Sequence, residues 1–137
     1  MEKSHEIGLC ISHFMMVPKT VIEKVGKWDD RFFLYGEDVD YCYRIKQAGY
    51  KIMYLPQCQA IHYKGVGVGI RKESADISTA SNETKMKMSK ERTKAMKIFY
   101  KKHFSQGSDK ISAGIVLFGI SILEKFRSFK IKQEINK

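Results

Sequence analysis

Residues 25–40 read Val-Gly-Lys-Trp-Asp-Asp-Arg-Phe-Phe-Leu-Tyr-Gly-Glu-Asp-Val-Asp, an aromatic segment that ends in a glycine and three acidic residues. The part before Gly36 has neither helical nor strand periodicity, which predicts a packed loop. A helix is predicted to follow over residues 38–48, in which Asp40 and Arg44 form a favourable i,i+4 pair. The segment therefore predicts a loop that delivers several carboxylates to the start of a helix.

The chemistry of this acidic cluster depends on its position at the helix start. The helix dipole and the free N–H groups of the first turn stabilise a carboxylate in its charged form at Glu37 and Asp38. A charged carboxylate on a rigid element beside an aromatic loop suits a general base for a sugar hydroxyl. Spacing alone favours the simpler interpretation, acidic caps at a helix N-terminus. An EF-hand calcium loop is excluded because Arg31 stands where the first ligand would be.

Upstream and downstream of this segment the pattern predicts short elements. Residues 7–17 are mostly apolar and predict a buried strand. Pro18 then suits the start of a short helix that ends at Gly26. Two further strands are predicted at residues 51–56 and 59–63, the first ended by a proline.

Two helices are predicted to close the chain, over residues 82–103 and 109–132, after a polar segment at 71–84. In the second helix the apolar side chains recur in steps of three and four and form one stripe. Its simpler interpretation is a helix packed against the domain. The alternative is an interfacial helix on an anionic membrane leaflet, because Lys and Arg crowd its end. The stripe consists of Ile111, Ile115, Phe118, Ile122, Phe126 and Phe129.

Composition limits the class of protein. A chain of 137 residues suits one domain with a modest core, and its net charge of +10, concentrated in the C-terminal half, favours anionic partners. The three cysteines form no Cys-x-x-Cys pair, which argues against a disulfide framework or a structural zinc site. No apolar run resembles a signal peptide or reaches the length of a membrane span. We therefore expect a cytoplasmic protein that is at most peripheral to the membrane.

Residues 25–40 resemble the acceptor-side signature of family 2 glycosyltransferases, especially rhamnosyltransferase-like enzymes. That signature reads Val-Gly-Gly-Phe-Asp-Glu and then Phe-Phe-Leu/Met-Tyr/Phe-Gly-Glu-Asp-Val-Asp. Arg44, Ala48-Gly49-Tyr50 and Ile61-His62-Tyr63-x-Gly65 continue the match in order. The similarity covers about residues 7–70 and extends more loosely to about residue 104.

The resemblance implies an α/β fold, the C-terminal portion of a GT-A (nucleotide-diphospho-sugar transferase) fold with a partial mixed sheet and two trailing helices. Residues 1–70 would be the acceptor-side half of the catalytic domain, 71–84 a mobile polar loop, and 85–137 the basic and amphipathic helices.

The resemblance also implies roles at the acidic cluster. Asp38 would be the base that deprotonates the acceptor hydroxyl, and Glu37 would orient the acceptor. Trp28 and Tyr35 are interpreted as packing residues, with stacking on the acceptor sugar as the alternative, and Asp40 is expected to bind the acceptor. The acceptor would attack a nucleotide-sugar donor with inversion and displace the nucleoside diphosphate.

The family places a histidine near the diphosphate and its divalent metal, Mg or Mn. On that basis His62 is a candidate metal ligand or phosphate contact, with a purely structural role as the equal alternative. Gly65 and Gly67 would approach the diphosphate, while His13 is expected to be structural.

This sequence departs from the family at three positions, where Lys27-Trp28 replaces Gly-Phe and Asp30 replaces Glu. The nucleotide-binding half of the family and its Asp-x-Asp motif have no counterpart in the sequence, so we expect an incomplete enzyme with a glycan or lipid-linked acceptor. The alternatives are a non-catalytic remnant or partner subunit, and a basic nucleic-acid-binding module. No nucleic acid is expected, because the basic residues 85–102 contain no recognised reader motif.

Overall fold

The computed structural model describes residues 3–61, 81–105 and 110–135, the side chains of the last segment as far as residue 133. The chain divides into two compact units, one of residues 1–30 and 36–62 and the other of residues 31–35 and 63–137. The described residues form four α-helices and one two-stranded sheet. Most of the polar segment predicted at 71–84 lies outside the described residues.

The sheet of the N-terminal unit is a single antiparallel pair. Strand β1 (His5–Ile7) pairs with β2 (Ile52–Tyr54), with His5 opposite Tyr54 and their rings 5.2 Å apart. The strand predicted at residues 51–56 is confirmed in its central part. The mixed sheet implied by the family resemblance is not formed by the described residues, in which these two strands pair only with each other.

Helix α1 (Lys19–Val25) follows Pro18 and ends at Gly26, as its sequence predicts. Gly26 has φ +82°, a left-handed conformation that only glycine adopts readily, and its N–H bonds the carbonyl of Ile22. The predicted helix and its glycine stop are both confirmed.

The buried strand predicted at residues 7–17 is wrong. Only Ile7 belongs to a strand, a single 3-10 turn forms at Ser12–Phe14, and the large apolar side chains of this stretch are mostly exposed. The backbone of Cys10 meets a helix side chain instead of a strand, since its N–H donates to Cys42 Sγ at 3.4 Å and its carbonyl accepts from that thiol at 3.6 Å. Residues 59–61, predicted as part of another strand, are likewise irregular.

Helix α2 (Glu37–Gln47) begins and ends within one residue of its predicted bounds. It starts after Gly36, whose φ of +86° lies in the left-handed region that favours glycine. Tyr41 and Ile45 turn inward and form the core of this unit with Val21 of α1. The packing of α1 on α2 is thus set by a few apolar side chains at helical spacing.

Arg44 and Asp40 form the ion pair that the sequence predicts, at 2.8 Å between Arg44 Nε and an Asp40 carboxylate oxygen. Asp40 has no exposed surface, and the Arg44 side chain is largely buried. The same guanidinium donates to the carbonyl of Val25 and, at 2.9 Å, to that of Lys27. One side chain therefore joins α2 to the segment that follows α1.

The second unit is built on two long helices, α3 (Asn82–Phe104) and α4 (Lys110–Ile135), both of which the sequence predicts. Ser81 caps α3 by accepting the N–H of Thr84 at 3.1 Å. Lys97 bonds Glu124 at 2.6 Å and so joins the two helices. Within the described residues, neither these helices nor the shorter ones are long and apolar enough to cross a membrane.

The apolar stripe of α4 is exposed in the structure. The helix uses its other side for packing, where Ala113 and Ile120 are buried. The helix packs against α3, as its simpler interpretation predicts, while the stripe itself stays exposed. The exposed side chains are Ile111, Ile115, Phe118, Ile122, Phe126 and Phe129.

Removing the Asp40 carboxylate should destabilise the N-terminal unit. Asp40→Ala leaves the Arg44 charge largely buried, and we expect it to lower the free energy of unfolding by about 3 kcal/mol, the low end for a broken buried pair because two carbonyl acceptors remain. Trp28 is the only tryptophan of the chain and lies in this unit. Urea unfolding followed by its fluorescence measures the change.

The matched control for Asp40→Ala is Glu23→Ala, which breaks the exposed pair of Lys19 and Glu23 on α1. An exposed pair contributes at most about 1 kcal/mol, so this variant should unfold almost like the parent. Equal urea midpoints for both variants would contradict the structural role given to Asp40.

Two glycines with open space around them should respond oppositely to alanine. Gly119 lies inside α4, and Gly49 has φ +86°, yet a methyl group at either position meets no atom within 4 Å. Gly119→Ala should stabilise α4 by about 0.5–1 kcal/mol because the unfolded chain loses freedom, whereas Gly49→Ala should cost about 1 kcal/mol in its strained conformation. Circular dichroism melts test the first variant and Trp28 fluorescence the second. The same sign for both would contradict the assigned backbone conformations.

Candidate functional site

The candidate site lies at the N-terminus of α2, where the left-handed turn at Gly36 brings Glu37 and Asp38 into the first helical turn. Asp38 Oδ1 accepts the N–H of Val39 at 2.8 Å. This bond holds the carboxylate against the helix end, where the dipole favours a negative charge. In the described part of the chain the bond to Val39 is the one hydrogen bond of this carboxylate, which leaves Oδ2 able to accept a proton.

Glu37 is the unusual group of the site. Its Oε2 atom is buried and has no hydrogen-bond partner among the described residues. Burial raises the pKa of Glu37 above its usual range and the charge of Asp38 raises it further, while its own backbone N–H and His13 act in the opposite direction. A buried polar atom without a partner is costly, and such atoms are rare in folded proteins. The site therefore holds a carboxyl group that a bound hydroxyl would satisfy.

The segment at residues 10–14 forms the other side of this site. Burial raises the pKa of the Cys10 and Cys42 thiols, and the Asp38 carboxylate adds to both increases. His13 acts on Glu37 in the same region. Cys10 and His13 stand more than 20 positions before Asp38 and Glu37, so no local pattern could predict these two electrostatic interactions. The sequence predicted only a structural role for His13 and did not predict that Cys10 and Cys42 lie near the site.

The three candidate acceptor-binding residues occupy different environments. Trp28 stacks on Tyr41, with ring centroids 4.5 Å apart, and stays 44% exposed, so one face packs and the remainder is accessible. Asp40 is fully buried and bonded to Arg44, and its expected contact with an acceptor stays a prediction. Tyr35 is half-buried within the second unit.

The expected metal and diphosphate contacts, His62, Gly65 and Gly67, lie outside the described residues. Among the residues that are described, no group of three or more His, Cys, Asp and Glu side chains is arranged to hold a metal ion.

Comparison with known proteins identifies a region of this chain that is similar to glycosyltransferases. It is 39% identical over 57 residues to the rhamnosyltransferase WbbL of Escherichia coli K12, covering 42% of this chain and 22% of that protein. It is 32% identical over 63 residues to an N-acetylglucosaminyl-diphospho-decaprenol L-rhamnosyltransferase of Mycobacterium tuberculosis, covering 46% of this chain and 20% of that enzyme.

A third relative is the low-salt glycan biosynthesis hexosyltransferase Agl10 of Haloferax volcanii, 32% identical over 62 residues, which are 45% of this chain and 19% of that protein. The chain thus spans about a fifth of the length of these relatives. No family model and no solved structure matches it. The similarity confirms the predicted resemblance for slightly less than half of the chain.

Glu37→Gln should stabilise the protein at neutral pH. A carboxyl whose pKa is raised on folding contributes stability that is fully present below its unfolded pKa, about 4.3, and is lost as the pH rises through the folded pKa. The variant cannot ionise and avoids this loss, so its advantage in Tm should grow as the pH rises. Thermal melts followed by Trp28 fluorescence between about pH 4 and pH 8 measure the difference.

The control is Glu23→Gln, the same replacement at an exposed position of α1. It reports the effect of exchanging a surface carboxylate for an amide. A Tm advantage of Glu37→Gln that shrinks with rising pH would contradict the burial of Glu37.

Proposed function

We propose that this chain supplies the acceptor-side part of an inverting glycosyltransferase of the GT-A fold. The supporting observation is the pair at the start of α2, in which Glu37 has a buried oxygen without a partner and Asp38 has an oxygen to accept a proton. The similarity to rhamnosyl- and hexosyltransferases supports sugar transfer as the reaction class.

In the proposed reaction Asp38 accepts the proton of an acceptor hydroxyl, and that oxygen attacks the anomeric carbon of a nucleotide sugar. The new glycosidic bond forms as the bond from the anomeric carbon to the diphosphate breaks, and the nucleoside diphosphate leaves with the electron pair. Because attack and departure occur on opposite faces, the configuration inverts. No covalent enzyme intermediate is involved.

Glu37 orients the acceptor in this proposal. A sugar hydroxyl that donates to its buried Oε2 atom would satisfy the unpaired acceptor and lower the cost of burying it. Trp28 offers an exposed aromatic surface on which a sugar ring can stack, since its other face packs on Tyr41. We place Asp40 behind this surface, where it positions Arg44.

The donor side of the reaction lies largely outside the described residues. We propose that His62 contacts the diphosphate or a divalent metal, Mg or Mn, with Gly65 and Gly67 beside it, and that the other ligands belong to a nucleotide-binding half. The purified chain should then transfer no sugar on its own. The name of the M. tuberculosis relative includes N-acetylglucosaminyl-diphospho-decaprenol, which supports a glycan or lipid-linked acceptor. We place the reaction at the cytoplasmic face of a membrane.

A chimeric enzyme tests the roles of the two carboxylates. The segment of E. coli WbbL that aligns with this chain is replaced by the matching residues of this chain, and rhamnosyl transfer is measured. We expect transfer by the chimera, a loss of about 10²–10⁴-fold in kcat for Asp38→Asn because the proton acceptor is removed, and none by the chain alone.

The matched control in the chimera is Glu23→Gln, an exposed carboxylate on α1 outside the site. It should transfer at the parent rate. Full activity of Asp38→Asn would contradict the role of Asp38 as proton acceptor. Nucleotide-sugar turnover by the isolated chain would contradict the need for a separate nucleotide-binding half.

A further inference from the structure

Helix α4 exposes an unusually large apolar surface. Each of the six large side chains in its stripe retains between 54% and 80% of its accessible surface. Single exposed apolar residues are common, but a continuous row of six isoleucines and phenylalanines marks an interaction site in a folded protein. The stripe is therefore a candidate binding surface.

The stripe is separate from the face that holds the helix to its neighbour. At about 100° per residue, the six positions fall within roughly 80° of arc, whereas the buried residues Ala113 and Ile120 lie on the opposite side. Helix α4 packs against α3 while the stripe stays exposed. A partner can thus cover the stripe without disturbing the α3–α4 packing.

Basic residues border the stripe along both edges. By the same helical geometry, Lys125 and Lys132 lie beside one edge and Lys130 beside the other. A lysine in this position can lay its aliphatic stem along an apolar surface while its ammonium group stays in a polar layer. The arrangement places positive charge at the level where an apolar layer meets water.

A shallow depression next to the stripe concentrates this charge. Lys97 of α3 and Lys125 and Lys132 of α4 line it together with Ser121, Ser128 and Glu124, the carboxylate that pairs with Lys97. Phe129 belongs both to this depression and to the stripe. The Lys125 and Lys132 ammonium groups are donors suited to phosphate oxygens.

Arg127 is a partly buried cation on the side of α4 opposite the stripe. Arg127 Nη1 is buried and has no hydrogen-bond partner among the described residues. Burial, and then the charge of Arg92, lower the pKa of Arg127. The acid Glu124, in contrast, is already paired with Lys97. The charge that borders the stripe therefore comes from Lys125, Lys130 and Lys132, and it favours an anionic partner.

Self-association fits these observations poorly. A symmetric dimer through the stripe would bring its lysine edges close to the same edges of the second copy, and like charges at a desolvated interface oppose association. A bilayer rich in anionic phospholipid offers acyl chains for the stripe and phosphates for the lysines on both sides. We propose that the exposed face of α4 docks onto an anionic phospholipid bilayer, with the helix lying in the interface plane.

This inference rests on the proposed function only in that both place the protein at a membrane. It adds the surface through which the protein would bind that membrane. Vesicle binding is measured without sugar transfer, so the two proposals can fail separately. The full chain is sedimented with phosphatidylcholine vesicles that contain roughly 30% phosphatidylglycerol, and with phosphatidylcholine alone. We expect strong binding to the anionic vesicles that weakens as salt rises, and weak binding to the neutral ones.

Two double variants separate the apolar and the charged contributions. Phe118→Ser with Phe126→Ser should weaken binding to anionic vesicles at least tenfold because two large side chains no longer leave water. Lys125→Gln with Lys130→Gln should weaken it about tenfold on anionic vesicles and leave neutral ones unaffected. Unchanged circular dichroism and Trp28 fluorescence establish that the variants fold.

Matched controls lie on other surfaces of the chain. Met16→Ser removes an exposed apolar side chain from the N-terminal unit, and Lys90→Gln with Lys101→Gln removes two exposed charges from α3. Each should bind less than threefold more weakly than the parent. Equal binding by the phenylalanine variant and the parent would overturn the proposal. So would an absence of vesicle binding together with a dimer in sedimentation velocity that this variant dissociates, since the stripe would then be a protein interface.

Discussion

Arg44 donates to the Asp40 carboxylate and to the carbonyl groups of Val25 and Lys27, so one guanidinium joins α2 to the turn that follows α1. The planar group offers its N–H donors in fixed directions, which sets both the distance and the rotation of α2 against that turn. A buried ion pair contributes little net stability compared with apolar packing. Its value here is positional, because the rotation of α2 determines where its first turn points.

The first turn of α2 carries two adjacent carboxylates in different surroundings. At Glu37 the helix N-terminus favours the charged form, yet burial outweighs it and the pKa rises. At Asp38 the carboxylate accepts a backbone N–H and keeps one oxygen for other contacts in the described structure. Two neighbouring carboxyl groups with different environments can take different roles, one holding a hydroxyl and the other accepting its proton.

The sequence predicted the parts of the fold that depend on local chemistry. The α2 bounds followed from Gly36 and the 3.6-residue period, and α1 from Pro18 and Gly26. The strand at residues 7–17 failed because an apolar run does not show what it will pack on, and here Cys10 meets Cys42 across 32 positions. The acidic cluster could be located from its motif, whereas the burial of Glu37 and its neighbour His13 arise from tertiary contacts.

The stripe of α4 shows a second limit of periodicity. Helical spacing identifies which residues share a face but not which face is buried. On α4 the buried residues are Ala113 and Ile120, while the stripe of isoleucines and phenylalanines is exposed. Small side chains allow helices to approach closely, so α3 and α4 can pair without the larger residues. An apolar stripe exposed to water would promote aggregation unless charge opposed it. The lysines along both edges supply that charge. In the proposed docking, the same charge favours an anionic phospholipid bilayer as the binding partner.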